Sequence, residues 1–135
     1  MDSCTLTIST TTDGVENSFR YEAEMDLSPF AALLRYKDGN AVVTLSFSRS
    51  SATLKREGDY SLFLPLENGK KTLGSLGLGE TEGEFPVKTH SIAFTTTKNS
   101  LLASLKYALY FGAETQETSI RLTARAKEGK QTEEK

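Results

Sequence analysis

Few side chains in this chain are of a type that does catalysis, and they are widely separated. His90 is the only histidine and Cys4 the only cysteine. Ser91 follows His90 directly, but neighbouring residues of a strand point to opposite faces, so these two cannot form a nucleophile and base pair. A zinc site of the usual type needs more histidines and cysteines than the chain has. We therefore expect no catalytic residues, no metal, no cofactor and no enzymatic activity.

Two glutamates have the spacing of a paired-carboxylate site. Glu22 and Glu24 lie two apart on a predicted strand, about 6.7 Å by the rise per residue, a separation that some glycosidases use. Because the apolar Tyr21 and Ala23 occupy the other face of that strand, we expect both carboxylates to face water. The same interpretation applies to a glycine-rich segment that repeats the spacing, at Glu80, Glu82 and Glu84.

Arg56 is the charged residue with the most informative position. It shares strand parity with Leu54, so if Leu54 faces an interior then Arg56 does too, near a turn. An unpaired buried charge is very costly, which leaves two interpretations. Arg56 is either held in a structural ion pair at the rim of the fold or available to an anionic ligand.

The elements that must position these residues are short strands. From Phe19 to Leu27 the odd positions are apolar, while Arg20 and the following even positions are polar, which predicts a half-buried strand. Similar alternation recurs along the chain, and turn signals separate the segments. They stand at Asp13-Gly14, Asp38-Gly39, Glu57-Gly58-Asp59, Asn68-Gly69 and Lys98-Asn99. The pattern predicts an all-β fold of about eight to ten strands.

Three segments depart from simple alternation. Residues 29–36 follow Ser28-Pro29, a helix-start signal, and carry apolar residues at helical spacing, so they are a strand or one to two helical turns. Pro65 near the end of a strand suggests an edge or a bulge. The apolar parity changes near His90-Ser91, which predicts a β-bulge.

Most strands have a single apolar face, and a sheet closed on itself would bury all of these faces together. We predict one antiparallel up-and-down β-barrel over residues 1–126, followed by a flexible charged tail over residues 127–135. At about eight strands such a barrel is either filled by side chains or holds one small ligand.

Composition limits the partners. The 135 residues suit one domain, and the formal net charge is −2. Residues 1–66 carry six basic and nine acidic side chains, and residues 67–135 carry ten and nine. A nucleic-acid binder normally shows a basic face, so we expect no nucleic-acid partner. No apolar run approaches the ~20 residues of a membrane span, and the lone Cys4 without an N-terminal apolar segment favours the cytoplasm.

Several landmarks between residues 44 and 122 resemble a known family. They include Thr53 to Gly58, Gly83 to Thr89, Leu105 to Leu109 and Ile120 to Leu122. These segments resemble the YwiB-like bacterial proteins of unknown function. The resemblance implies a calycin-like barrel, related in architecture to lipocalins, and it transfers no catalytic residue.

From these patterns we predict that a small, partly apolar ligand, either neutral or anionic, binds in the lumen or mouth of the barrel. Arg56 would be the anchor, Tyr21 and Thr89 would form hydrogen bonds, and apolar walls would come from Phe85, Val87, Tyr107 and Leu109. The alternative is an assembly module with a filled core, in which an exposed stripe at Ala108 and Tyr110 marks a possible homodimer surface.

Overall fold

The computed structural model describes residues 1–127, which form ten antiparallel strands and no helix. The strands are β1 (Asp2–Thr12), β2 (Val15–Ser28), β3 (Ala31–Asp38), β4 (Ala41–Ser48), β5 (Ser51–Glu57), β6 (Ser61–Glu67), β7 (Lys71–Leu78), β8 (Thr81–Thr96), β9 (Ser100–Phe111) and β10 (Glu114–Ala126). None of the elements in this range is a helix that could cross a membrane.

The sheet is a closed up-and-down barrel. Each strand pairs with its neighbours in the chain, and β1 also pairs with β10. The β1–β2 turn shows how the sequence makes such hairpins: Asp13 and Gly14 both have positive φ, 50° and 86°, which matches a tight turn suited to the twist of the strands. The all-β barrel predicted from the alternation is confirmed, with the strand number at the upper end of the expected range.

The core lies inside the barrel because alternate residues of every strand point inward. In β4 the burial alternates from Ala41 to Ser48, so that Val43, Leu45 and Phe47 face the interior. The inward residues of every other strand except β7 join them in one apolar cluster. Burial of apolar surface from water, at about 25 cal/mol per Å², is therefore shared by nine of the ten strands.

Residues 29–36 form no helix. Pro29 and Phe30 make a turn, and β3 follows, paired with β2 on one side and with β4 on the other. Leu34 lies between Met25 and Leu45 in this register. Of the two alternatives predicted for this segment, the strand is therefore correct and the helix is not, because hydrogen bonds to two neighbouring strands outweigh a short pattern of helical spacing.

The predicted bulge is present at His90. The register between β8 and β9 shifts between Thr89 and Ser91, which leaves His90 as the extra residue. Its side chain is exposed, and the apolar alternation resumes inward at Ile92. One inserted residue thus keeps both halves of this long strand facing the core.

Pro65 lies where the β6–β7 ladder is short. These strands pair only from Ser61 to Phe63, and beyond that point the Thr72 hydroxyl donates to the Pro65 carbonyl. Pro65 is not on a free edge, because the barrel is closed and Pro65 pairs with Thr53 of β5. The proline, which has no N–H, instead coincides with the end of the pairing to β7.

The chain leaves the barrel beside its own beginning. The Lys127 backbone N–H donates to the Ser3 carbonyl over 3.2 Å, and its ammonium contacts Glu22. Apart from Lys127, the predicted tail lies outside the described residues.

Candidate functional site: the mouth of the barrel

The two ends of the barrel differ in construction. The turns after β1, β3, β5, β7 and β9 lie at one end, here called the mouth. The other four turns and the start of β1 lie at the opposite end, here called the base. The site considered below is formed by inward-facing residues in the half of the barrel nearest the mouth.

Exposure of the inward-facing residues rises steadily toward the mouth. Leu34, deep in the barrel, is 0% exposed, and Leu109, closer to the mouth, is 8% exposed. At the rim the exposed fractions reach 51% for Phe19, 39% for Leu76 and 42% for Phe111. The barrel is therefore filled at the base, and inward apolar side chains become exposed only at the rim of the mouth; these rim residues and the inward residues next to them are here called the cup.

The seven residues predicted from the sequence to bind a ligand all face inward. Thr89 pairs with Tyr107 and Val87 pairs with Leu109, so these four lie side by side on β8 and β9. Phe85 continues the same face toward the mouth and is buried. Tyr21 on β2 and Arg56 on β5 belong to other walls. No observation tests whether these residues bind anything, and that role stays a prediction.

Arg56 is held at the rim by the hairpin that follows it. Its Nη1 donates to Asp59 Oδ1 over 3.2 Å and to the Tyr60 carbonyl over 3.1 Å, and its guanidinium lies 3.9 Å from the centre of the Tyr60 ring. The hydrogen bond from Arg56 lowers the pKa of the Asp59 carboxyl. The structural ion pair considered from the sequence is thus present, yet Nε and Nη2 of Arg56 have no acceptor among residues 1–127.

A concavity lies beside Arg56. Its volume is about 390 Å³, above the ~300 Å³ at the lower end of small-molecule sites, and it is lined mainly by outward residues of β5 to β8, including Lys55, Phe63 and Ser75. This concavity therefore lies on the outer side of the rim and is separate from the cup.

Tyrosines surround the upper part of the cup. The Tyr21 and Tyr36 rings lie 4.5 Å apart, and the Tyr21 hydroxyl donates to Asp38 Oδ1 over 3.5 Å. Burial raises the pKa of Tyr107 to about 12. Burial also raises the pKa of Tyr36, and Tyr21, Asp38, Tyr107 and Arg56 are close enough to act on it. At neutral pH these phenols keep their protons and present O–H donors.

Thr89 carries an unused hydrogen-bonding group inside the barrel. Its backbone N–H donates to the Lys70 carbonyl and its own carbonyl accepts from Gly69, each over 3.0 Å. The side chain is 0% exposed, and Oγ1 has no partner among the described residues. A buried polar group left in this way costs about 1–3 kcal/mol, and because the hydroxyl has no exposed surface, a bound molecule would reach it only if the side chains above it moved.

Comparison with known proteins places the chain in a family. A family model described as a domain of unknown function, DUF1934, matches residues 4–123. The chain belongs to the DUF1934 family. A crystal structure of the YwiB protein from Bacillus subtilis is similar to this DUF1934 barrel with a TM-score of 0.79, at 16% sequence identity, over 93% of this chain and 92% of that one. A search of curated proteins found no match.

The exposed stripe suggested on the outside of the DUF1934 barrel is absent at Ala108. Ala108 is fully buried although it points outward, and it pairs with Lys88 on one side and Glu117 on the other. His90 Nε2 lies 3.1 Å from Glu117 Oε1, so this pair joins β8 to β10 across β9. An alanine between longer neighbours is covered by them, which strand parity alone does not reveal.

Other polar candidates lie away from the mouth. Glu22 and Glu24 are exposed on the outer wall, as expected. Cys4 is fully buried, and burial raises the pKa of its thiol to about 11. Sequence reasoning missed Tyr36 and Tyr60 as neighbours of the site. The parity of Tyr36 with Leu34 and the tight turn between Arg56 and Tyr60 were the signals that would have found them.

Proposed function

We propose that this DUF1934 barrel binds a small, partly apolar anion in the cup at its mouth. The observation that supports this most is the exposure of inward-facing apolar side chains at the rim, above a core that is filled. Phe19, Leu76 and Phe111 keep part of their apolar surface exposed at the rim, and the mouths of β-barrels are common places for ligand sites.

The polar groups of the cup define the head of the ligand. Nε and Nη2 of Arg56 carry parallel N–H donors at a fixed spacing, a geometry that suits a carboxylate or phosphate. The phenols of Tyr36 and Tyr107 add neutral donors, and the Thr89 hydroxyl lies deeper. An anion with a polar group at each end of a short apolar body would use all of them.

The filled base limits the length of the ligand. From Phe111 at the rim to Tyr107 the strand advances four residues, about 13 Å along a tilted strand, and below that level the core is closed. The ligand is therefore shorter than the long-chain fatty acids that larger barrels enclose.

We also propose that the protein is cytoplasmic, because its single cysteine, Cys4, is buried and has no second cysteine to pair with. We propose no catalytic step.

The resemblance to calycin-like barrels raises the expectation of ligand binding, although a shared fold does not define a function. The likeness to YwiB supports the architecture only. We infer the class of ligand instead from the chemistry of the side chains at the mouth.

A titration with a medium-chain carboxylate tests the proposal. The chain has no tryptophan and five tyrosines, so tyrosine fluorescence reports on the cup directly. Octanoate should change this signal saturably and octanol should bind at least tenfold more weakly, because a charge-assisted hydrogen bond contributes about 1.5–3 kcal/mol.

Arg56→Gln should remove most of the difference in affinity between octanoate and octanol. Lys55→Gln is the matched control, since Lys55 is the next residue and its side chain faces outward, 55% exposed. Equal affinity of octanoate for the wild type and Arg56→Gln, or no saturable change with any medium-chain anion, would refute the proposal.

A further inference from the structure

The outer wall of the barrel has a face that is basic, although the chain is acidic overall. It consists of outward residues of five adjacent strands, β2, β1, β10, β9 and β8, and is here called the basic face. Its cations are Arg20, Lys106, Arg121 and Arg125, all exposed. The residues between them are Thr5, Thr7, Ser9, Thr11, Ser18, Ser91, Ala93, Thr95, Ser100, Leu102, Ser104, Ser119 and Thr123.

Strand register brings these cations together. Arg20 pairs with Thr7, and Thr7 pairs with Thr123, which lies between Arg121 and Arg125 on β10. Lys106 pairs with Ser119 on the other side of Arg121. From the spacing of residues and strands, the four charges spread over about 20 Å along the strands and about 14 Å across them.

The carboxylates at the border of this face are already engaged. Glu16 accepts from the Ser9 hydroxyl over 2.8 Å, Glu22 contacts Lys127, and Glu117 pairs with His90. Within residues 1–127, none of the four cations lies within 4 Å of a carboxylate oxygen. Their charges therefore remain available to an external anion.

Shallow grooves run between the basic side chains. One of about 620 Å³ is lined by Thr7, Arg20 and Arg125, and one of about 180 Å³ by Lys106, Arg121 and the acidic Glu16. The small Ser and Thr side chains keep these grooves open and offer hydroxyl groups beside the charges. An extended chain of anions can lie there close to the sheet.

We propose that the basic face binds the phosphate backbone of a single-stranded nucleic acid without reading its bases. The cations are dispersed over the wall, which suits a series of phosphates better than a single anion. The face has no aromatic residue on which a base could stack, so binding would rest on phosphate contacts alone, without the stacking that strengthens other single-strand sites. A flexible strand can follow the convex wall and reach all four cations, whereas a rigid duplex would contact fewer.

A membrane surface fits this face less well. Docking on lipid combines cations with protruding apolar side chains that enter the bilayer, and Leu102 is the one large exposed apolar residue of the face. The proposal is independent of the mouth. It also differs from the expectation of no nucleic-acid partner, which came from counting charges along the sequence. That count does not show which charges the pairing of the strands brings onto one face.

Fluorescence anisotropy with a labelled polyuridine strand tests the inference. We expect a dissociation constant of about 10⁻⁶–10⁻⁴ M at low salt and a plot of log K against log salt with a slope of about −2.8, since each neutralised phosphate of a single strand contributes about 0.7. Replacing Arg20, Lys106, Arg121 and Arg125 together by Thr, a good strand former, should abolish binding.

The matched control replaces Arg35, Lys37, Lys55 and Lys71 by Thr. These four residues are also exposed, and replacing them lowers the net charge by the same amount, but they lie outside the basic face. Circular dichroism checks that both variants fold. The control should retain the affinity within about threefold. The inference fails if polyuridine does not bind at low salt, if both variants lose binding equally, or if a duplex or vesicles of anionic lipid bind more tightly than the single strand.

Discussion

At the scale of single residues, the buried hydroxyl of Thr89 gives the sharpest expectation. Thr89→Val keeps the shape and removes a polar atom that has no partner, so the free energy of unfolding should rise by about 1 kcal/mol. Urea denaturation measures this change. Thr89→Ser, which keeps the hydroxyl and loses a methyl group, should lower the stability instead. A loss of stability in the valine variant would mean that Oγ1 has a partner in the folded protein.

Cys4 provides a second test at this scale. Its thiol is fully buried and has a pKa of about 11, so very little reactive thiolate exists at pH 8. Iodoacetamide should leave the native protein unmodified and alkylate it once in urea, as seen by mass spectrometry. Rapid alkylation of the native protein would contradict the burial of β1 against β10.

The ion pair at the rim predicts a pH effect. Hydrogen bonding from Arg56 lowers the pKa of Asp59 below its usual 3.8, so the ionised carboxylate stabilises the folded state above about pH 4. That contribution is lost as the pH falls through the lowered pKa. Arg56→Gln should therefore flatten the acid limb of a stability profile measured by thermal unfolding. An unchanged acid limb would show that the pair contributes nothing in solution.

At the scale of elements, Gly74 tests the packing of β7 against β8. A Cβ at this inward position would lie 2.8 Å from two ring carbons of Phe85, so Gly74→Ala should cost about 1–3 kcal/mol of stability by overpacking. Gly83→Ala is the control, because nothing lies within 4 Å of its Cβ. Equal stabilities for the two variants, measured by urea denaturation, would contradict the inward placement of Phe85.

The strands also show how far the sequence could predict the structure. The alternation of apolar and polar residues was enough to predict the barrel and the bulge at His90. Both follow from which residues of a strand share a face, and this can be read from the local sequence. The helical spacing at 29–36 left strand and helix both open, because the pairing of this segment to β2 and β4 is not visible in the local sequence. The burial of Ala108 depends on Lys88 and Glu117 in neighbouring strands, so it too requires the register.

At the scale of the whole molecule, closure of the sheet is what creates both candidate sites. It gathers Arg56, Tyr36 and Tyr107 around one mouth, although they are distant in the chain. On the outside it places Arg20 near Arg121. The inward direction of the seven predicted residues could be inferred from parity, but the opening at the mouth and the basic face depend on strand lengths and register.

The central claim is that apolar inner faces converge on a cup that opens at one end only. Titration of isotope-labelled protein with octanoate, followed by NMR, tests it most directly. We expect saturable shifts for Phe19, Arg56, Thr89 and Tyr107 at the mouth, and none for Phe47 near the base. Shifts confined to the base or the outer wall, or no saturable shift at the mouth, would contradict the account.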